Sequence, residues 1–304
     1  MAESDQERFL TEILANPADR DVRLVFADWL EEQGNARGEL IRLQIQLEKM
    51  KASDRGYATL RKKERALFNE YPPYGDRPGI SGWEYRAGFV EKIEMTLTAF
   101  LRNATEVFEH SPVQHVTLKA KSKKLDRIAQ MPELSRLRSI ELRSNELGNA
   151  GLRTLLSSPH LTNLESLTIY SNGISNEGVT FLSQLPNLKS LTELKIAWNE
   201  IDDKATAAIV DSQTLGEITS LRLDGDFTDQ TLRLIAGSPR FRNLKKLTLN
   251  GDYSNELRAP AISGFSERGL EALSTICRAA GLDANASTFA AEAESLRAAL
   301  VSQM

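Results

Sequence analysis

Residues 137–147 read LRSIELRSNEL, residues 164–174 read LESLTIYSNGI, and residues 191–201 read LTELKIAWNEI. The three stretches share one frame, L-x-x-L/I-x-L/I-x-x-N-x-L/I, and its asparagines, Asn145, Asn172 and Asn199, recur every 27 residues. A constant period of this length is the mark of stacked repeats, each too small to bury its own apolar edges. Within a copy, Leu167, Thr168 and Ile169 alternate apolar and polar, which predicts a short strand with one buried side. Further on the period changes: Gly178, Val179 and Leu182 follow one turn, and Gly151, Leu152, Leu155 and Leu156 follow another, at helical spacing. Each repeat is therefore expected to run strand, turn, helix, with parallel strands inside and helices outside. The asparagine stands where the chain leaves the strand, and its amide is suited to backbone groups left unpaired in the turn.

Weaker copies flank these three. Ile218, Leu221, Leu223, Phe227, Leu232 and Ile235 fit if one residue is deleted in the turn, which brings Asp226 near the asparagine position. Leu244, Leu247 and Leu249 begin another copy, interrupted from Asp252 to Gly264, after which Phe265, Gly269, Leu270 and Leu273 resume the helical spacing. Upstream, Val113, Val116, Leu118, Leu125 and Ile128 form a shorter copy, and Val90, Ile93 and Met95 read as the first strand. Seven strands are expected. From about Val90 to Leu273 the chain resembles leucine-rich repeats, and the long repeat with its helix is similar to the ribonuclease-inhibitor type. The fold class this implies is an α/β leucine-rich repeat solenoid.

Before the repeats the texture is purely helical. Phe9, Ile13 and Leu14 lie on one amphipathic helix, stopped at Asn16 because the next residue is Pro17. Asp19 or Asp21 opens a second helix through Trp29 and Leu30, and Gly34 ends it. A third runs through Leu40 to Leu47 and a fourth through Leu60 to Phe68; Gly75, Asp76, Arg77, Pro78 and Gly79 then read as a linker. The string from Phe9 to Gln44, FLTEILANPADRDVRLVFADWLEEQGNARGELIRLQ, resembles the bacterial repeat-companion domain, and Trp83, Arg86, Gly88, Phe89 and Val90 resemble its junction to a first repeat. That resemblance implies an arrangement, a helical cap joined to a repeat platform, and carries no reaction. The expected organisation is a helical module over 1–75, a junction over 76–89, the repeat array over 90–280 and a helical cap over 281–304.

Composition narrows the function classes. A net charge of -4 argues against a surface built throughout for phosphate. One cysteine, Cys277, excludes an intramolecular disulfide and is read as an inert thiol on an apolar helix face. No apolar run reaches the roughly 20 residues of a membrane helix, and no secretory pattern follows Met1, so a cytoplasmic location is expected. His110, His115 and His160 fall in different repeats without metal-ligand spacing, and no phosphate loop or nucleophile elbow occurs. No cofactor, metal or catalytic residue is expected. Two basic stretches, Lys49 to Arg65 along the third and fourth helices and Lys119 to Lys124 after the second strand, are read as solvated faces, since no stacking aromatics interleave them; nucleic-acid or phosphate binding through them is the lesser alternative.

A repeat array acts through a face, and the polar strand positions supply it. Glu141, Arg143, Thr168, Tyr170, Lys195, Trp198, Arg222 and Asp224 are the positions expected on the concave side. Tyr170 and Trp198, on adjacent repeats and surrounded by arginine and lysine, suit a partner protein or peptide, because aromatic and arginine side chains dominate interfaces. Trp198, just before Asn199, has a second reading as a structural cover over the neighbouring turn. The expected function is a non-enzymatic interaction scaffold. The alternative is a regulator of a small GTPase, since the repeats resemble those of the Ran GTPase-activating protein, with Arg143 and Arg222 as the arginines to try.

Overall fold

The computed structural model describes residues 4–70, 77–119, 124–241 and 243–249, together with 274, 290, 291 and 294. The chain divides into two compact units, Met1–Thr117 and Leu118–Met304. The expectations for residues 252–264, for Cys277 and for the 281–304 cap lie outside the described residues.

In the first unit, α1 (Asp5–Ala15) starts at a capping box in which Ser4 and Glu7 satisfy each other's backbone amides. Helix α2 (Arg20–Glu32) is capped by Asp19, which accepts from the amides of Asp21 and Val22, and α3 (Arg37–Glu48) and α4 (Tyr57–Glu70) follow. Strand β1 (Ile80–Arg86) then pairs antiparallel with β2 (Phe89–Thr96), and α5 (Leu97–His110) leads to β3 (His115–Lys119). β1 is absent from the seven strands that the apolar pattern predicts. Its side chains alternate only between exposed and half-buried, so the pattern has no fully apolar register to display.

The hairpin tip explains how helices and strands share one core here. Ala87 and Gly88 have φ of 44° and 83°, the positive values that a two-residue hairpin turn needs at both central positions. Such a tip, once buried, leaves its amide and carbonyls without water, and side chains from the helices take over. Arg23, fully buried, donates to the carbonyls of Arg86 at 3.0 Å and Ala87 at 3.4 Å, Arg37 donates to Gly88 O at 2.9 Å, and Gln44 accepts from Gly88 N at 2.9 Å. The charge of Arg23 is answered by Glu91 at 2.7 Å; burial pushes the guanidinium below its ordinary pKa and Glu91 pulls it back. Phe89 is flanked by two guanidinium carbons, at 4.6 Å from Arg37 and 5.3 Å from Arg23, and stacks on Phe26. Phe26, Ile13, Leu30, Ile41 and Ile45 complete the cluster.

In the second unit the repeats stand in strict register. After α6 (Leu125–Ala129) come β4 (Ser139–Arg143), α7 (Gly148–Leu156), β5 (Ser166–Tyr170), α8 (Asn176–Leu182), β6 (Glu193–Ala197), α9 (Asp203–Val210), β7 (Ser220–Leu223), α10 (Asp229–Gly237) and β8 (Lys246–Leu249). The strands β4 to β8 form one parallel ladder, in which Leu142, Ile169, Ile196, Leu223 and Leu249 are successive partners. One face of that ladder is buried beneath the helices. Ile140, Leu167, Leu194 and Leu221 are 0–1% exposed, as are Leu152, Val179, Ile209 and Leu232 on the helices. Each buried leucine or isoleucine stabilises by about 1.5–3 kcal/mol, and the period repeats that contribution along the stack. The turn after β7 is one residue shorter than its predecessors: the helix N-caps Ser175, Asp202 and Thr228 fall 27 and then 26 residues apart.

Gly88 is the most constrained position of the hairpin tip, because a Cβ there would overlap Ile41 Cγ1 as well as oppose the positive φ. Gly88→Ala is expected to cost about 3 kcal/mol. Urea unfolding monitored by circular dichroism measures it, and a loss below roughly 1 kcal/mol would contradict the buried tip.

Candidate functional site

Every strand of the central repeats ends at a residue in the left-handed region: Ser144, Ser171 and Trp198 have φ of 49°, 51° and 56°. The kink turns the chain off the ladder and leaves carbonyls and amides pointing into the stack, where water cannot reach them. The asparagines supply the partners. Asn172 Nδ2 donates to Tyr170 O at 2.9 Å in its own repeat and to Leu142 O at 3.0 Å in the preceding one, while its Oδ1 accepts from Asn145 N at 3.1 Å. Asn199 Nδ2 donates to Ala197 O at 2.8 Å and Ile169 O at 3.1 Å, and its Oδ1 accepts from the amides of Asn172 at 3.0 Å and Ile174 at 3.1 Å. Asn145 differs. It is 2% exposed, yet its side-chain Oδ1 and Nδ2 have no hydrogen-bond partner among the described residues.

A second ladder, missed in the sequence, runs four residues behind the first through Asn149, Asn176 and Asp203. Asn149 Oδ1 accepts from Ser175 N at 3.1 Å and its Nδ2 donates to Ser175 Oγ at 2.8 Å; Asn176 Oδ1 accepts from Asp202 N at 3.0 Å. Asp203 accepts from both the amide and the hydroxyl of Thr228 and of Thr231. Each repeat thus holds the start of the next repeat's helix. The same period of 27 links Asn149, Asn176 and Asp203 in the sequence, and that recurrence was the available signal. Burial pushes the Asp203 carboxyl up, but the hydrogen bonds from Thr228 and Thr231 outweigh it and hold its pKa below the usual value.

The polar side of the ladder carries the expected site residues in rows. Register aligns Glu141, Thr168, Lys195 and Arg222 across four strands, and Arg143 with Tyr170 and Ala197. The charges pair along their own strands: Arg143 with Glu141 at 2.5 Å, Lys195 with Glu193 at 2.9 Å, Arg222 with Asp224 at 2.8 Å. Arg143 and Arg222, the arginines of the GTPase-regulator reading, are therefore each engaged by a carboxylate two residues away. Burial pushes Glu193 up, yet Ser166, Lys195 and Ser220 hold its pKa below the ordinary range. Tyr170 is half-buried. Trp198 is 65% exposed, and its ring centroid lies 5.7 Å from that of Tyr170. Register places Tyr170 opposite Ala197, so Trp198 belongs to the kink, one residue beyond the strand row it was expected to share. Among the described residues no group of three or more histidine, cysteine or acidic side chains is placed to hold a metal ion, and no helix is long and apolar enough to cross a membrane.

With this geometry in place, comparison with known families is specific. The Leucine Rich repeat family model matches residues 135–156, 160–183 and 187–210. These three stretches are similar to leucine-rich repeats. They coincide with the units β4–α7, β5–α8 and β6–α9, which carry both asparagine ladders. No curated protein matches the chain.

Two outcomes follow for the leucine-rich repeats. Asn172→Ala strands three backbone groups and is expected to cost roughly 3 kcal/mol, whereas Asn145→Ala removes an amide with no partner among the described residues and should cost under about 1 kcal/mol. Equal losses in denaturant titrations would contradict the ladder. For Asp203 the folded pKa is depressed, so its contribution is complete above the ordinary carboxylate value of about 4 and fades as pH falls through the folded pKa. Asp203→Asn should therefore be less stable than the parent at pH 7, with a gap that narrows in melting curves taken below about pH 4; a gap that is constant with pH would contradict it.

Proposed function

We propose that this chain is a non-enzymatic docking scaffold that holds a partner protein or peptide on the polar face of its repeats, around Tyr170 and Trp198. Leucine-rich repeats generally mediate protein–protein interaction, and the matched repeats are the ones that carry this aromatic pair. The observation that carries the reading is Trp198 itself. A bulky residue in the left-handed region costs about 1–2 kcal/mol, and strain of that kind is retained where the side chain serves a purpose. Core packing does not explain it, because the ring is 65% exposed. Glu141, Arg143, Thr168, Lys195, Arg222 and Asp224 form the surrounding surface, where paired charges provide polar complementarity around an apolar anchor.

Trp198→Gly separates anchoring from folding. Glycine relieves the left-handed strain while the contact with Tyr170 is lost, so stability should stay within about 1 kcal/mol of the parent. Affinity capture from the native host with parent and variant chains should then retain partners on the parent that the variant loses. Identical captured sets, or a stability loss near 3 kcal/mol as for a buried tryptophan, would overturn the reading.

A further inference from the structure

The strand-to-helix turns that border Trp198 bear one sign of charge. Between β4 and α7, β5 and α8, β6 and α9, and β7 and α10 the sequence places Glu146, Glu200, Asp202, Asp224 and Asp226 before the helices begin, with no lysine or arginine in any of the four turns. Some of these acids have a local task. Asp202 caps α9 by accepting from Lys204 N at 2.7 Å, and Asp224 is held by Arg222. Glu200 and Asp226 are different: both are exposed, and neither has an ion pair among the described residues. They belong to adjoining turns, since Asp226 N donates to Ile201 O at 2.9 Å. Trp198 stands in the first of those turns, two residues before Glu200.

The next turn has no side chain at the position matching Trp198. Gly225 follows Trp198 by one repeat length, just after Asp224, whose amide donates to Ile196 O at 2.9 Å. A Cβ at Gly225 would overlap the carbonyl oxygen of Ile201, so this position carries no side chain for steric reasons. Tyr170 packs beside the indole, and the position that matches Trp198 in the next repeat is a glycine between two aspartates. Arg143, Lys195 and Arg222 are already paired with Glu141, Glu193 and Asp224.

Resting on the docking reading above, we propose that the partner contributes a basic segment, with an arginine or lysine side chain set over the Trp198 indole and balanced by Glu200 and Asp226. An electron-rich ring face attracts a cation, and two exposed carboxylates without an ion pair among the described residues add negative charge in the adjoining turns. An apolar or acidic segment would leave both carboxylates unanswered.

The test uses the full chain and a fluorescently labelled hexa-arginine peptide at low salt, read by anisotropy. Trp198→Gly and the double variant Glu200→Gln/Asp226→Asn should each weaken binding by about fivefold or more, the size of an exposed cation–π contact or its equivalent in charge, with Trp198→Phe intermediate. Glu12→Gln/Glu32→Gln removes the same charge from exposed positions of α1 and α2, outside the repeats, and should leave binding within about twofold. Melting curves establish that each variant is folded. Equal weakening by the Glu12/Glu32 control, or indifference to Trp198→Gly, overturns the proposal. If peptide binding fails this pattern while capture of native partners still depends on Trp198, the basic segment is wrong and the docking reading stands. If capture is also indifferent to Trp198, both fall.

Discussion

A strand that stops inside a stack of repeats must turn without leaving its last carbonyls and amides unbonded, and one carboxamide per repeat meets that requirement here. Asn172 and Asn199 each reach two carbonyls, one in their own repeat and one in the repeat before, and each accepts an amide from that preceding repeat. The bond pattern works only if successive strands end at the same level. That condition fixes the 27-residue offset seen in the register of β4, β5 and β6. Asn149, Asn176 and Asp203 impose the same offset at the helix starts, so the repeat is pinned at both ends of its turn. What the turn displays is then a consequence. Trp198 occupies the kink before the last asparagine of the ladder, and the following turn, one residue shorter and without asparagine, does not cover it.

The first unit meets a similar requirement by other means. Its hairpin tip is buried, and no repeating asparagine serves it; Arg23, Arg37 and Gln44 from three different helix positions bond the tip instead. Guanidinium groups suit the task because their several donors lie in a fixed plane and the same plane can rest against Phe89. Burying Arg23 would be costly without Glu91, which is why the ion pair and the tip belong to one arrangement. Phe26, Arg23 and Gln44, on α2 and α3, are among the residues that grip the tip.

Much of this was legible in the chain. The alternation in Leu167–Thr168–Ile169 and the constant asparagine spacing specified parallel strands with a fixed register, because both depend only on side-chain period. The start of the second helix was readable from capping chemistry as Asp19 or Asp21, and Asp19 is the cap. Three things were not. β1 hides because its residues are half-buried on one side and exposed on the other, leaving no apolar row. The exposure of Trp198 goes with a left-handed backbone dihedral at the kink, which hydrophobicity does not report. The Asn145 amide has no partner among the described residues, and an asparagine in frame looks the same in sequence whether or not it is bonded.

The ladder itself is open to direct observation by amide hydrogen exchange. The backbone N–H groups of Asn145, Asn172 and Ile174 lie outside the named strands, and each is bonded to an asparagine side-chain oxygen. The account predicts that these three exchange as slowly as amides within β5 and β6, and that Asn199→Ala exposes Asn172 and Ile174 together. Exchange at the rate of free turn amides in the parent chain would contradict it.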